Sequence, residues 1–315
     1  MSFHSGFVCI LGRPNAGKST LLNALVGERL AIISPKPQTT RNRILGILHL
    51  PSQGGRAGQV ILIDTPGVHK PDSSLGRKMM LEVREGLEGC DLILMMVDAA
   101  HRRDAADEFV LDLAKKSGTP VFLLLNKIDL LRGRKPELLS VINEYSKLHS
   151  FRQIIPISAK TKDGLELLLK ELASQLPEGP RYFPEDQVTD QPLRFMVAEV
   201  IREQVLQQTS DEVPYSTTVA IDTFEEGKKL VRVGATIYCE REGQKGILIG
   251  KRGEKLKGIG TAARLQIEKM TGTRVFLELF VKVQAGWRES RQFVDEMDWR
   301  RQLENLTSPK KGIPR

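Results

Sequence analysis

Eight consecutive residues, Gly12-Arg13-Pro14-Asn15-Ala16-Gly17-Lys18-Ser19, match G-x-x-x-x-G-K-[ST], and Thr20 follows. Backbone N–H groups in such a loop wrap a phosphate, and the positive end of the following helix adds to the attraction. Asn15, Ala16, Gly17, Lys18, Ser19 and Thr20 form the phosphate-contacting set, with Lys18 reaching the β- and γ-phosphates. The Ser19 hydroxyl suits Mg²⁺, which prefers hard oxygen ligands. Further along comes Asp64-Thr65-Pro66-Gly67. Asp64 can hold Mg²⁺ through water, and the Gly67 N–H can sense a γ-phosphate. In Asn126-Lys127-Ile128-Asp129 the carboxylate of Asp129 can accept two hydrogen bonds, from guanine N1–H and N2–H. Adenine has no such pair of donors, so a site built on that bond rejects it. Asn126 and Lys127 are expected to brace the loops and cover the base. In Ser158-Ala159-Lys160 the Ala159 N–H is placed to meet guanine O6.

These residues need elements that bring them to one edge. Phe7 to Leu11 reads as a buried strand leading into the first loop, and Leu21 to Leu25 as the helix leading out. Ile44 to Leu50 and Gln59 to Thr65 are strand-like, and the link Pro51 to Gly58 predicts an antiparallel hairpin between them. Helices near 75–87, 104–116, 136–148 and 165–176 then alternate with strands at 92–97, 120–125 and 154–158. That alternation predicts a mostly parallel α/β sheet with helices on both faces, and ligands bind such sheets at the strand C-termini. Residues 1–176 are assigned to this domain. Residues 177–192 hold four prolines and several charges and are expected to be a linker.

Beyond it the order changes. A helix near 195–208 precedes strands at 217–224 and 230–238, a short helix near Ile247, a longer one over 254–270, and a strand over 273–283. This is an α+β unit, assigned to 193–306 with a last helix over Glu289 to Leu306, and 307–315 forms a basic tail. Within it, Ile247-Leu248-Ile249-Gly250-Lys251-Arg252-Gly253 carries a G-x-x-G. The spacing alone says little, because Gly55–Gly58, Gly86–Gly89 and Gly243–Gly246 share it. Context selects Gly250–Gly253, which joins two helices and has Lys and Arg in the middle. Lys251 and Arg252 are expected to meet phosphates while Ile247, Leu248 and Ile249 line a base groove. Trp287 is a candidate for stacking on a base, with a packed tryptophan the equal alternative.

The four loop motifs resemble those of the translation-factor class of GTPases, and their order and spacing resemble the Era family. The helix-strand-strand-helix-helix-strand order resembles a type II KH domain, and a GTPase followed by such a domain is similar to Era over nearly the whole chain. The resemblance implies that Thr39 or Thr40 is the switch threonine that ligates Mg²⁺ in the triphosphate state. Thr40, beside Arg41, is preferred. Ras-like enzymes orient water with a glutamine directly after D-x-x-G, whereas here that position is Val68. Relatives with an apolar residue there use a monovalent cation, so Asn15 is expected to hold K⁺, and Asn15, Lys18, Thr40 and Gly67 make the catalytic set. The resemblance further implies a slow GTP/GDP switch that binds the 3′ end of 16S rRNA and serves 30S subunit assembly and rRNA maturation. It also implies a monomer in the cytoplasm, associating peripherally with the membrane.

Composition agrees with this and narrows the alternatives. The net charge of +8 calls for an anionic partner. Between Arg241 and Lys257 six basic residues face two acidic ones. Three cysteines without C-x-x-C spacing read as buried thiols of a reducing compartment, and zinc is not expected. The first residues lack a charged segment followed by an apolar core, so a signal peptide is not expected. A GTPase partner in tRNA modification would carry a cofactor domain or catalytic cysteines. A small-molecule kinase would lack N-K-x-D, and a plain RNA-binding module would have a degenerate phosphate loop.

Overall fold

The computed structural model describes residues 3–34, 36–53, 56–131 and 135–302. The chain divides into two compact units, one of Met1–Lys70 with Met79–Gln191, the other of Pro71–Lys78 with Pro192–Arg315.

In the first unit the strands are β1 (Phe3–Gly12), β2 (Ile44–Gln53), β3 (Arg56–Asp64), β4 (Leu92–Asp98), β5 (Val121–Asn126) and β6 (Gln153–Pro156). They form one sheet in the order β2-β3-β1-β4-β5-β6. Among these strand pairs β2–β3 is antiparallel and the others are parallel. β4 and β5 are near-continuous apolar runs because parallel strands are buried on both faces. Helices α1 (Lys18–Val26), α2 (Ser74–Leu87), α3 (Ala105–Ser117), α4 (Lys135–Ser146) and α5 (Leu165–Gln175) follow the strands. α3 starts on a capping box, in which Asp104 accepts from the Ala106 and Asp107 N–H groups. β1, β3, β4 and β5 therefore end at Gly12, Asp64, Asp98 and Asn126, which puts the expected chemistry on one edge of the sheet.

Residues 177–191 behave differently from a linker. The Ser5 and Gly179 N–H groups exchange bonds with Pro177 and Phe3 carbonyls (3.1 Å each), and the Ile47 N–H donates to the Val188 carbonyl at 2.8 Å. Thr189 Oγ1 donates to the Leu45 carbonyl at 2.6 Å. The amide of buried Gln59 accepts from the Tyr182 and Phe183 N–H groups and donates to the Phe183 carbonyl. This segment is built into the first unit and covers the free edge of β2, an edge that would otherwise be open to pairing.

The second unit has α6 (Leu193–Gln208), β7 (Thr218–Glu226), β8 (Leu230–Cys239), α7 (Glu242–Ile249), α8 (Glu254–Thr271), β9 (Arg274–Val283) and the short α9 (Arg291–Glu296). β7 pairs antiparallel and β9 parallel with β8. Val197, Ile201, Val205, Ile237, Leu248, Ile259, Ala263 and Ile267 lie in one core between helices and sheet. Pro71–Lys78 belongs here: Ser74 Oγ donates to the Glu289 carbonyl at 2.7 Å and Lys78 Nζ pairs with Asp298 at 2.7 Å. The expected final helix is broken, since α9 ends at Glu296 and helix resumes only at Trp299. The tail 307–315 and the last part of that helix lie outside the described residues, as does part of the β2–β3 link.

Candidate nucleotide site and nucleic-acid interface

The phosphate loop leaves β1 and enters α1 at Gly17, whose φ of 102° is a left-handed conformation, and a Cβ there would stand 2.3 Å from the Asn126 side chain. A cleft of about 410 Å³ opens over the loop, lined by Asn15, Gly17, Lys18, Ser19, Thr20 and Gly67 together with Ile32, Ile33, Ser34, Gln38, Thr39 and Thr40. Ala16 is buried beneath it. Lys18 is almost fully buried and donates to the carbonyls of Gly12 (2.9 Å) and Arg13 (3.0 Å). Burial holds its ammonium down to about 8 and pushes the Asp64 carboxyl up to about 6, each opposed by the other's charge.

Ser19 Oγ donates to Asp64 Oδ2 at 2.7 Å and lies 2.8 Å from Thr40 Oγ1. Thr39 Oγ1 instead donates to the Lys36 carbonyl at 2.6 Å. The geometry thus puts Thr40, not Thr39, with Ser19 and Asp64. Asp64 Oδ1 is buried and has no hydrogen-bond partner among the described residues. Three hard oxygens and an orphaned carboxylate oxygen fit Mg²⁺.

Asn15 is exposed and sits at φ 61°, a backbone conformation asparagine tolerates better than most residues. Its identity therefore has a conformational reason beside the expected cation role. Val68 is fully buried in the core and its N–H donates to the Gly12 carbonyl at 3.1 Å, so its side chain does not reach the cleft.

At the base end, Asn126 is buried, and its amide donates to the Ala16 carbonyl (2.7 Å) and accepts from the Ala159 N–H (2.9 Å). Asn126 thus ties the phosphate loop to the 158–160 loop, as expected. The Ala159 N–H corrects the expectation: it is donated to Asn126 and does not stand open for guanine O6. Ser158 Oγ donates to Asp129 Oδ1 at 2.7 Å, orienting that carboxylate, and Lys160 is exposed. Lys127 Nζ donates to Asp98 Oδ2 at 2.7 Å. Neither Asp98 nor Arg13, which pairs with Asp104 at 3.1 Å, was visible from motif spacing. The Asp at the end of β4 was the available signal.

In the second unit, Gly250 to Gly253 joins α7 to α8 through a turn over Lys251–Gly253. Gly250 has φ 70° and ψ 178°, and a Cβ there would come within 2.7 Å of the Lys255 Cβ, so only glycine fits. Lys251 and Arg252 are exposed. Beside this turn lies an open cleft of about 700 Å³, lined by Leu256, Gly260, Thr261 and Arg264 of α8 and by Leu277 and Leu279 of β9. These residues correct the expected groove. Leu248 is fully buried in the core, and neither Ile247 nor Ile249 lines the cleft. Burial in the core accounts for Leu248, whereas Ile247 is exposed and Ile249 half-buried. The cleft could have been found from small residues at helical spacing on α8 and the alternation of β9. Trp287 is also corrected: it is 1% exposed and donates Nε1–H to the Ser216 carbonyl at 2.8 Å, so no base can stack on it.

The fold and the site together define a P-loop GTPase joined to a KH domain. Family models agree: residues 7–127 match a 50S ribosome-binding GTPase model and residues 212–288 a KH domain. GTPase Era of Syntrophus aciditrophicus is 49% identical over 299 residues, covering 94% of this chain and 95% of the relative. GTPase Era of Ruminiclostridium cellulolyticum is 48% identical, covering 95% and 99%. A crystal structure of Era with MgGDPNP and nucleotides 1506–1542 of 16S ribosomal RNA is similar at a TM-score of 0.88 and 40% identity, covering 93% of this chain and 98% of the other. Aquifex aeolicus Era bound to GDP and AlF4⁻ is similar to the same degree. This chain belongs to the Era family of GTPases.

Proposed function

We propose that this GTPase binds the 3′ end of 16S rRNA through its KH domain and releases it after hydrolysis, serving assembly of the 30S subunit and maturation of its rRNA. The observation that carries the reading is the cleft between α8 and β9, flanked by exposed Lys251 and Arg252, on a chain that also carries the GTPase motifs. Apolar Leu256, Leu277 and Leu279 offer a floor for unstacked bases, and the glycine turn lets a backbone come close to Lys251 and Arg252. A solved relative carries just such an RNA segment.

Ser19, Thr40 and Asp64 would hold Mg²⁺. Bound there, the ion would neutralise charge that develops on the phosphate oxygens. Lys18 leaves its two carbonyl acceptors to pair with the β- and γ-phosphates. Thr40 carries the signal of nucleotide state, because its hydroxyl lies beside Ser19 and its loop lines the cleft. The segment after Gly67 carries it as well, since Pro71–Lys78 is part of the second unit.

With Val68 turned into the core, hydrolysis relies on the phosphate loop itself. Asn15 would then hold K⁺, whose charge would favour hydrolysis, and turnover would be slow. Equal turnover in K⁺ and Na⁺ buffers would remove that assignment.

Crosslinking in cell lysate followed by RNA sequencing tests the RNA reading. Reads should gather at the 3′ end of 16S rRNA with a non-hydrolysable GTP analogue and thin out with GDP. Reads spread over unrelated RNA in both states would refute it.

A further inference from the structure

Arg13 occupies a variable position of the phosphate-loop motif, yet its guanidinium sits among three carboxylates. Nη1 donates to Asp104 at 3.1 Å, Nε stands 3.7 Å from Asp107, and Nη2 stands 3.9 Å from Asp98. The Arg13 side chain is 13% exposed, Asp98 12% and Asp107 5%. The carboxylates come from two elements, Asp98 from the end of β4 and the other two from the first turn of α3 and its cap. Asp98 has a second cation, Lys127, at 2.7 Å. Its other oxygen accepts from the Ala100 N–H at 3.0 Å, which fixes the plane of the carboxylate. Lys127 itself is at φ 67°, so its side chain leaves the chain from a left-handed residue.

Both cations belong to the nucleotide site. The Arg13 carbonyl accepts from Lys18, and Lys127 belongs to the loop that recognises guanine. Asp98 thus joins a side chain of the phosphate end to one of the base end, beside the bond from Asn126 to the Ala16 carbonyl. Paired, partly buried charges of this kind fix geometry more than they add stability.

We propose that Asp98 is a positioning residue that holds the phosphate loop, through Arg13, and the guanine loop, through Lys127, in one register, and so sets how long the nucleotide stays bound. It acts only through those two side chains. It therefore governs binding and release and leaves the hydrolytic step alone. The inference concerns the GTPase unit and stands apart from the RNA reading.

The test uses the full chain with Asp98→Asn, which keeps the shape and removes the charge. Release of a fluorescent GDP should quicken about tenfold, the loss of one charge-assisted hydrogen bond. Single-turnover hydrolysis of preloaded GTP should stay within about twofold. Arg13→Gln should quicken release as well, and the double variant should release GDP more slowly than the product of the two single effects requires, because both break one network. Unchanged release, a slowed single-turnover step, or effects that multiply would each overturn the proposal. Asp104→Asn covers the case in which the inner variants fail to fold. Asparagine still caps α3 while Arg13 loses a partner. Release faster by about threefold supports the proposal, and release at the parental rate overturns it.

Discussion

Thr40 and Thr39 are neighbours in sequence with the same side chain, and only their hydrogen bonds separate them. Thr40 reaches Ser19 at 2.8 Å while Thr39 turns back to the Lys36 carbonyl. No spacing rule distinguishes two adjacent hydroxyls, whereas the identities of Lys18, Ser19, Asp64 and Asp129 follow from motif chemistry alone. Asp64 carries a pH dependence. Burial pushes its carboxyl up to about 6 from 3.8. The folded protein therefore takes up this proton more readily than the unfolded chain. The cost of the buried charge is felt above about pH 6 and is relieved below 3.8. An ionised Asp64 is the form that accepts a cation. Mg²⁺ affinity of the nucleotide complex should be full above about 6 and fall by about tenfold per pH unit below it. Titrating Mg²⁺ against a fluorescent nucleotide at several pH values checks this, and a flat profile would contradict it.

The elements of the first unit were legible because their patterns are strong. β4 and β5 are unbroken apolar runs and α3 announces its start with Asp104 and Asp107. The segment 177–191 was not legible. Its prolines and charges resemble a linker, and nothing in its composition reveals that Gln59 and the β2 edge satisfy its backbone. The KH cleft was half legible: the glycine turn could be read, but the groove beside it is made by residues far apart in sequence, Leu256 on α8 and Leu279 on β9. An apolar triplet such as Ile247-Leu248-Ile249 looks the same whether it faces a ligand or a core. Trp287 failed for a related reason, since a tryptophan among charges fits either role. Its ring packs near Phe293, which in turn meets Tyr238 of β8, so the segment after β9 is fastened to the sheet. Trp287→Phe should lower unfolding stability by about 2–3 kcal/mol through lost volume and the broken bond to Ser216. Chemical denaturation measures this. RNA affinity of the folded protein should not change, and a selective loss of RNA binding without loss of stability would restore the stacking role.

At the scale of the molecule, two units with separate cores carry two separate chemistries, a guanine site at the C-terminal edge of one sheet and a basic cleft beside a three-stranded one. Their order along the chain was legible in the motifs. The return of Pro71–Lys78 to the second unit was not, because a helical pattern does not say which core its first turn joins. That return matters for function, since the same stretch follows Gly67 by only a few residues. Under the proposed function, nucleotide state governs RNA occupancy at the α8–β9 cleft. The most direct measurement is the affinity of the full chain for an RNA of 16S nucleotides 1506–1542, loaded with GDPNP or with GDP, at several salt concentrations. Binding should be tighter with GDPNP, should fall by about 0.7 log unit per phosphate contact for each decade of salt, and should be lost in both states when Lys251 and Arg252 are replaced by Asp. Equal affinity in the two nucleotide states, or binding that survives the double replacement, would contradict it.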